Sequence, residues 1–168
     1  MQIRPAHAND QPALWAILGP IIRAGDTYAL DRDMEQDEAL AYWLGSDKET
    51  FVAHDDSGAL LGTYYLRPNQ AGGGRHVCNC GYMTHVSARG RGIGQQMALH
   101  SLAHAHMRGY RAMQFNFVIS TNENAIRLWQ QFGFHTVGRL PDAFDHPLHG
   151  PVDALVMYRA LNGTLPVH

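Results

Sequence analysis

Apolar and polar positions along the chain switch between two periods, and the switch points outline its elements. Short runs rich in branched and aromatic residues predict strands at Ile3–Pro5, Thr50–His54, Ala59–Leu66, His76–His85, Ala112–Ile119, Phe134–Gly138 and Asp153–Tyr158. Helical composition falls at Pro12–Ala24, Glu35–Leu44 and Gln95–Arg108. A short helix follows Asn122, where Ala125, Leu128, Trp129 and Phe132 form an apolar stripe. Ser120 and Glu123 fit a capping box at its start, and Gly133 supplies its stop. On Gln95–Arg108 the pattern leaves two sides open: Ile93, Met97, His100, His104 and Met107 share one, and Ala98, Leu102 and Ala105 the other. Loops fall at Gly25–Asp33, Asp55–Gly58, Asn69–Arg75 and Pro141–Pro151, the last joining the final two strands. No repeat or linker divides the chain, so residues 1–168 read as one mixed α/β domain of order β-α-α-β-β-β-α-β-α-β-β.

Composition narrows the function. The 168 residues are 45% hydrophobic and 17% charged, ordinary for a soluble protein with a real core. A net charge of −2 offers no basic field to nucleic acid or to an anionic membrane. No apolar run approaches the roughly 18 residues of a membrane span. The start, MQIRPAHAND, lacks the apolar core of a signal peptide. Cys78 and Cys80 lie two apart on one strand, an awkward placement for a disulfide, so a reducing cytoplasm is the expected compartment.

The most telling local feature is Arg89–Gly94, Arg-Gly-Arg-Gly-Ile-Gly, where a strand hands over to a helix. Glycines let the backbone turn sharply and approach a ligand. The first N–H groups of a helix lack intrahelical partners, and Arg89 and Arg91 add positive charge. The segment therefore predicts a phosphate site. It is not a Walker loop, because no Gly-Lys-Ser/Thr follows. A dinucleotide fingerprint also fails, since Met97 stands where its third glycine would fall.

Arg89, Gly92 and Gly94 do supply R/Q-x-x-G-x-G, which resembles the pyrophosphate loop of the GNAT superfamily of N-acetyltransferases. A second block, Asn122 to Phe134 (NENAIRLWQQFGF), is similar to the signature N-x-x-A-x-x-L-Y-x-x-x-G-F at Asn122, Ala125, Leu128, Gly133 and Phe134. Together the resemblance covers roughly Thr50 to Ala160. It implies a GNAT-like fold: a mostly antiparallel sheet of six to seven strands, splayed between two parallel strands and flanked by about four helices. It also implies an enzyme that moves the acetyl group of acetyl-CoA directly to an amine. The pyrophosphate would lie on Arg89, Gly90, Arg91, Gly92, Ile93 and Gly94. The pantetheine arm would pair with Tyr82, Met83 and Thr84, with Asn122 on its other side and Trp129 nearby. A main-chain N–H near Met83–Thr84, assigned to Met83, would polarise the thioester carbonyl, and Gly81 would kink or bulge the strand to open the sheet.

Trp129 replaces the family's Tyr, which is thought to protonate the leaving thiolate. Tyr82, Tyr64, Tyr65 or a water could act instead, or the thiolate could leave unprotonated. His85 is a candidate base by position, against the plainer reading of a strand-end histidine facing solvent. Asn79 and Asn116, one on each splaying strand, suit an acceptor's carboxylate or carbonyl, unless backbone satisfies them. The stretches CNCGYMTH, FNFVISTN and VGRLP…VDALVMY are similar to the branch that acetylates proline analogues such as azetidine-2-carboxylate, which places asparagines in its site. Phe144, His146 and His149 could line the acceptor pocket. His100 and His104 share a helix face, but no third ligand is evident, so no metal is expected. Three readings stand: an N-acetyltransferase acting on a small amine such as an amino acid or analogue, one acting on a peptide or protein, and a non-catalytic acyl-CoA-binding module. The resemblance adds a homodimer as the expected assembly.

Overall fold

The structure, a computed structural model, describes residues 1–161. Residues 162–168, which the single-domain expectation includes, lie outside the described residues. The elements are β1 (Gln2–Pro5), α1 (Gln11–Ala24), α2 (Gln36–Trp43), β2 (Glu49–His54), β3 (Leu60–Pro68), β4 (Val77–Thr84), α3 (Ile93–Met107), β5 (Ala112–Ile119), α4 (Glu123–Gln131), β6 (His135–His146) and β7 (Gly150–Ala160). All seven strands join one sheet in the order β1-β2-β3-β4-β5-β7-β6. Every neighbouring pair is antiparallel except β4–β5.

Strand alternation gives the sheet two buried faces. On one face Phe51, Tyr64, Leu66, Cys78, Cys80, Met113 and Phe115 pack under α3 and α4. On the other, Val52, Tyr65 and Met83 pack under α1 and α2. The indole of Trp43 donates to Thr63 Oγ1 at 3.0 Å, and that hydroxyl donates to the Phe51 carbonyl at 2.8 Å, pinning α2 to the sheet. Both cysteines are buried free thiols.

The two faces of α3 are unequal. Met97, Ala98, Ser101, Leu102 and Ala105 are buried, and Met107 is exposed, so the helix turns its small-residue side inward together with Met97. His100 and His104 sit at the margin. The Tyr64 hydroxyl meets His100 Nδ1 at 2.6 Å, and His104 Nε2 meets Glu49 at 3.0 Å. Among the described residues no group of three or more His, Cys, Asp or Glu side chains could hold a metal ion.

Several boundaries differ from expectation. The segment Pro141–Pro151 is no long loop: β6 runs to His146 and β7 begins at Gly150, with a register shift between Leu140 and Phe144. Cross-strand pairing carried the strand through a sequence that reads as turn-rich. The cap of α4 is Asn122, whose Oδ1 accepts from the Ala125 N–H at 3.2 Å; Ser120 is not the cap. Its C-terminus closes as expected: Gly133, at φ 77°, donates to the Gln130 carbonyl, and Phe134 to that of Trp129.

β4 and β5 pair only at Val77–Ala112 and Cys78–Met113, then part. Gly81 makes no bulge, for β3 and β4 stay in register from Gly62–Thr84 to Pro68–Cys78. Gly81 instead admits the ring of Tyr65 opposite it; a Cβ there would lie 2.6 Å from Tyr65 Cε1. The bulge falls in β5. Phe115 faces Met157 and Val118 faces Leu155, so Asn116 and Phe117 oppose one residue of β7.

Candidate active site

Two cavities meet at the parting of β4 and β5. The larger, about 890 Å³, runs from Tyr82, Met83 and Thr84 past Arg89, Gly90, Gly92, Ile93 and Gly94 to the α4 residues Ala125 and Leu128, with Asn122 at its edge. The smaller, about 260 Å³, lies between β3, β4, β5 and the α1–α2 loop, and Asn79, Asn116 and Trp129 line it. Tyr28, Tyr82 and Asn122 border both.

The glycine loop has the form of an anion cradle. Gly90 and Gly92 hold φ of 74° and 76°, which side chains rarely adopt, and nothing lies within 4 Å of a Cβ built on either. The first bond of α3 runs from the Gln96 N–H to the Gly92 carbonyl. The N–H groups of Ile93, Gly94 and Gln95 precede it and have no intrahelical acceptor. Arg89 lines the groove and Arg91 does not. Arg91 instead acts on Asp55, whose carboxyl is held below its ordinary range first by a hydrogen bond from Ser57 and more weakly by that charge. Arg127 of α4 also lines the groove.

The open edge of β4 carries the next feature. The N–H of His85 donates to the Leu61 carbonyl of β3, and the N–H of Tyr82 points the other way, to the Tyr28 hydroxyl at 2.7 Å. Alternation along β4 therefore turns the N–H of Met83 toward β3 and those of Tyr82 and Thr84 toward the parting. The donors that face the parting are therefore those of Tyr82, held by Tyr28, and Thr84, not that of Met83, because a strand residue presents both main-chain groups to one side. The same hydroxyl donates to the Tyr82 carbonyl at 2.8 Å. Tyr28 comes from the α1–α2 loop, 54 positions away, and burial pushes its phenol well above its ordinary range. The Gly25–Asp33 segment reads as a loop in the sequence, and nothing there singles out this tyrosine.

Asn79 is buried, and its Nδ2 donates to the Gln114 carbonyl of β5 at 2.9 Å. It bridges the strands just past their last ladder pair while lining the small cavity. Asn116 is exposed in the β5 bulge, accepting from Gln114 Nε2 at 2.9 Å and donating to Asn69 Oδ1 at 2.7 Å. Both expected asparagines thus reach one cavity.

Trp129 is buried, with ring centroids 4.8 Å from Tyr82 and 4.6 Å from Phe115. Of the candidate tyrosines, Tyr82 turns its hydroxyl to Ser101 of α3 at 2.8 Å, and Tyr64 reaches His100. Tyr65 lines the small cavity, and burial raises its phenol well above the ordinary range. His85 caps a short turn, its Nδ1 accepting from the Ser87 N–H at 3.2 Å, and it borders neither cavity. Nearby cap chemistry, not a base, explains its placement. His146 and His149 border the large groove rather than the small cavity; Phe144 borders neither.

A sheet parted at one parallel pair, with a glycine cradle at the next helix, is the arrangement that the GNAT resemblance implies. The chain matches the acetyltransferase (GNAT) family over residues 19–134. It is 34% identical to the N-acetyltransferase aca1 of Schizosaccharomyces pombe, over 80% of this chain and 72% of that protein. A GCN5-related N-acetyltransferase from Kribbella flavida shares 40% identity and superposes with a TM-score of 0.90, covering 95% of this chain and 96% of the other. The yncA structure from Salmonella typhimurium, solved with acetyl-CoA, superposes at 0.84 with 20% identity, over 100% and 98%, a likeness of fold. This chain belongs to the GNAT family and is an acetyl-CoA-dependent N-acetyltransferase.

Proposed function

We propose that this enzyme acetylates the amine of a small molecule such as an amino acid or analogue. The small cavity carries this reading. At about 260 Å³ it holds a compact acceptor, and it opens into the groove at Tyr82. The proline-analogue branch, azetidine-2-carboxylate included, is the finer form of the proposal, supported by Asn79 and Asn116 sharing that cavity.

The residues present fit acetyl-CoA. Empty space over Gly90 and Gly92 and the N–H groups of Ile93, Gly94 and Gln95 suit a pyrophosphate, with Arg89 adding charge. Tyr82 and Thr84 offer main-chain groups to the pantetheine arm. Asn122 keeps Nδ2 as a donor, because its Oδ1 is committed to Ala125. Bound there, acetyl-CoA supplies an activated acyl carbon to the amine. The Tyr82 N–H is the donor placed to steady negative charge on the carbonyl oxygen. Among the described residues no Asp, Glu or His lines the small cavity, so the acceptor reacts as the fraction already neutral in solution.

Thiol release from acetyl-CoA across proline analogues, free amino acids, polyamines and short peptides tests this. Turnover of a free amino acid or analogue supports the proposal. Turnover of peptides alone removes it in favour of a macromolecular acceptor. Silence with coenzyme binding intact also removes it and leaves a protein acceptor.

A further inference from the structure

Arg67 is the one ionised side chain lining the small cavity among the described residues. It lies on β3 directly opposite Asn79 of β4, so the two side chains share a face. Its Nη1 donates to Asp47 Oδ2 at 3.2 Å, a long bond to a half-exposed carboxylate that also holds Lys48 at 2.8 Å. Its Nε is buried and has no hydrogen-bond partner among the described residues. A buried guanidinium N–H left unpaired costs free energy. Nε is closed to an approaching atom, so a ligand can reach the guanidinium only at its Nη end, where Nη1 is shared with Asp47 and Nη2 has no protein partner among the described residues.

The surroundings match the same ligand. Asn79 and Asn116 add amide groups, and Tyr42 and Leu30 add apolar wall. No carboxylate lines the cavity among the described residues, so nothing there would balance a second positive charge on an acceptor.

From this we infer that Arg67 is a specificity-determining residue, and that the enzyme's acceptors carry a carboxylate close to the amine, held by the Nη end of that guanidinium. The inference rests on the small-molecule reading and sharpens it. Polyamines and amino-acid amides are excluded as good acceptors, because they offer no anion to that guanidinium. A site built to hydrogen-bond a group discriminates against the analogue that lacks it.

The test pairs azetidine-2-carboxylate and alanine with their carboxamides, in the wild type and in Arg67→Met and Arg67→Lys. Calorimetry measures binding to the protein saturated with coenzyme A, and thiol release measures kcat/KM. In the wild type each acid should exceed its amide by about 10- to 100-fold in both readouts. Arg67→Met should bring the ratio close to one, and Arg67→Lys, which keeps the charge but not the fork, should restore part of it. A thermal melt checks that the variants are folded. Equal acid and amide binding in the wild type, or an unchanged ratio in Arg67→Met, overturns the inference, as does absence of acid binding. Acid binding that is lost in Arg67→Met without any turnover supports the carboxylate site and removes only the small-molecule transfer reaction.

Discussion

Replacing Tyr28 by Phe isolates the hydroxyl that holds both main-chain groups of Tyr82. The ring stays packed edge-on against Trp43, 6.1 Å between centroids, so the change removes two hydrogen bonds of 2.7 and 2.8 Å and little else. Each is worth roughly 0.5–1.5 kcal/mol net, and water replaces part of them, so folding should lose about 1–2 kcal/mol, a fall of roughly 2–8 °C in Tm. Ligand binding should move the other way. The hydroxyl occupies the donor that a thioester carbonyl would use, so acetyl-CoA has to displace it. Without that competitor, affinity for acetyl-CoA should rise by about 5- to 30-fold, the same energy read as a ratio. Free coenzyme A, which lacks the acetyl carbonyl, should gain less. Calorimetric titration of both ligands against both proteins decides the matter. Weaker or unchanged acetyl-CoA binding in Tyr28→Phe would refute the competition and would make the hydroxyl a ligand contact or a bystander.

Three further outcomes are expected. Gly92→Asp puts a side chain into open space at φ 76° and a carboxylate beside the N–H groups of Ile93–Gln95; coenzyme A affinity should fall by at least about 10-fold, and an unchanged Kd by titration would remove the phosphate assignment. With no carboxylate or imidazole lining the small cavity among the described residues, the pH profile of kcat/KM should rise with the acceptor amine's own pKa; steady-state rates with two amines of different basicity should give displaced profiles, and superimposable ones would point to an enzymic base. Stability should decline in two stages on acidification. Burial, and to a lesser degree His104, holds His100 below its ordinary 6.5, so the unfolded chain takes that proton first and stability falls as pH drops below about 6.5. The hydrogen bond from Arg4 holds Asp10 below its ordinary 3.8 against burial, so its contribution is present above that value and lost as pH falls through the folded one. Urea melts of His100→Gln should lose the first stage, and an unchanged slope between about pH 7 and 5 would refute it.

Much of the fold was legible because its signals are local. The glycines at 90, 92 and 133 each adopt positive φ, and the loops they close followed from composition alone. β5 matched its predicted bounds because its aromatic and branched content matches a central strand. β6 was read short because Pro141, Asp142 and Pro151 look like turn residues, while pairing with β7 keeps the chain extended through a register shift. The two asparagines that line the small cavity stand out because a polar residue amid apolar ones is visible in the sequence. Their positions were set by something that is not: Asn116 is aimed by a bulge that depends on its partner strand.

What was missed shares one cause. Tyr28 and Arg67 each look ordinary among their neighbours, a tyrosine in a loop and an arginine at the end of a strand. Their meaning comes from the parting of β4 and β5, which leaves main-chain groups and a cavity for side chains from elsewhere to meet. Asn79 bridges the gap from within β4, and Tyr28 closes its edge from 54 positions away. Arg67 borders the remaining space as its one charged side chain among the described residues. Such a site is fixed by which donors and acceptors the fold leaves without partners, a property of the assembled sheet that no window of the chain contains. The unpaired groups are therefore where acceptor specificity should be sought, and substitutions at Tyr28 and Arg67 should separate it from coenzyme binding at Gly90–Gln95.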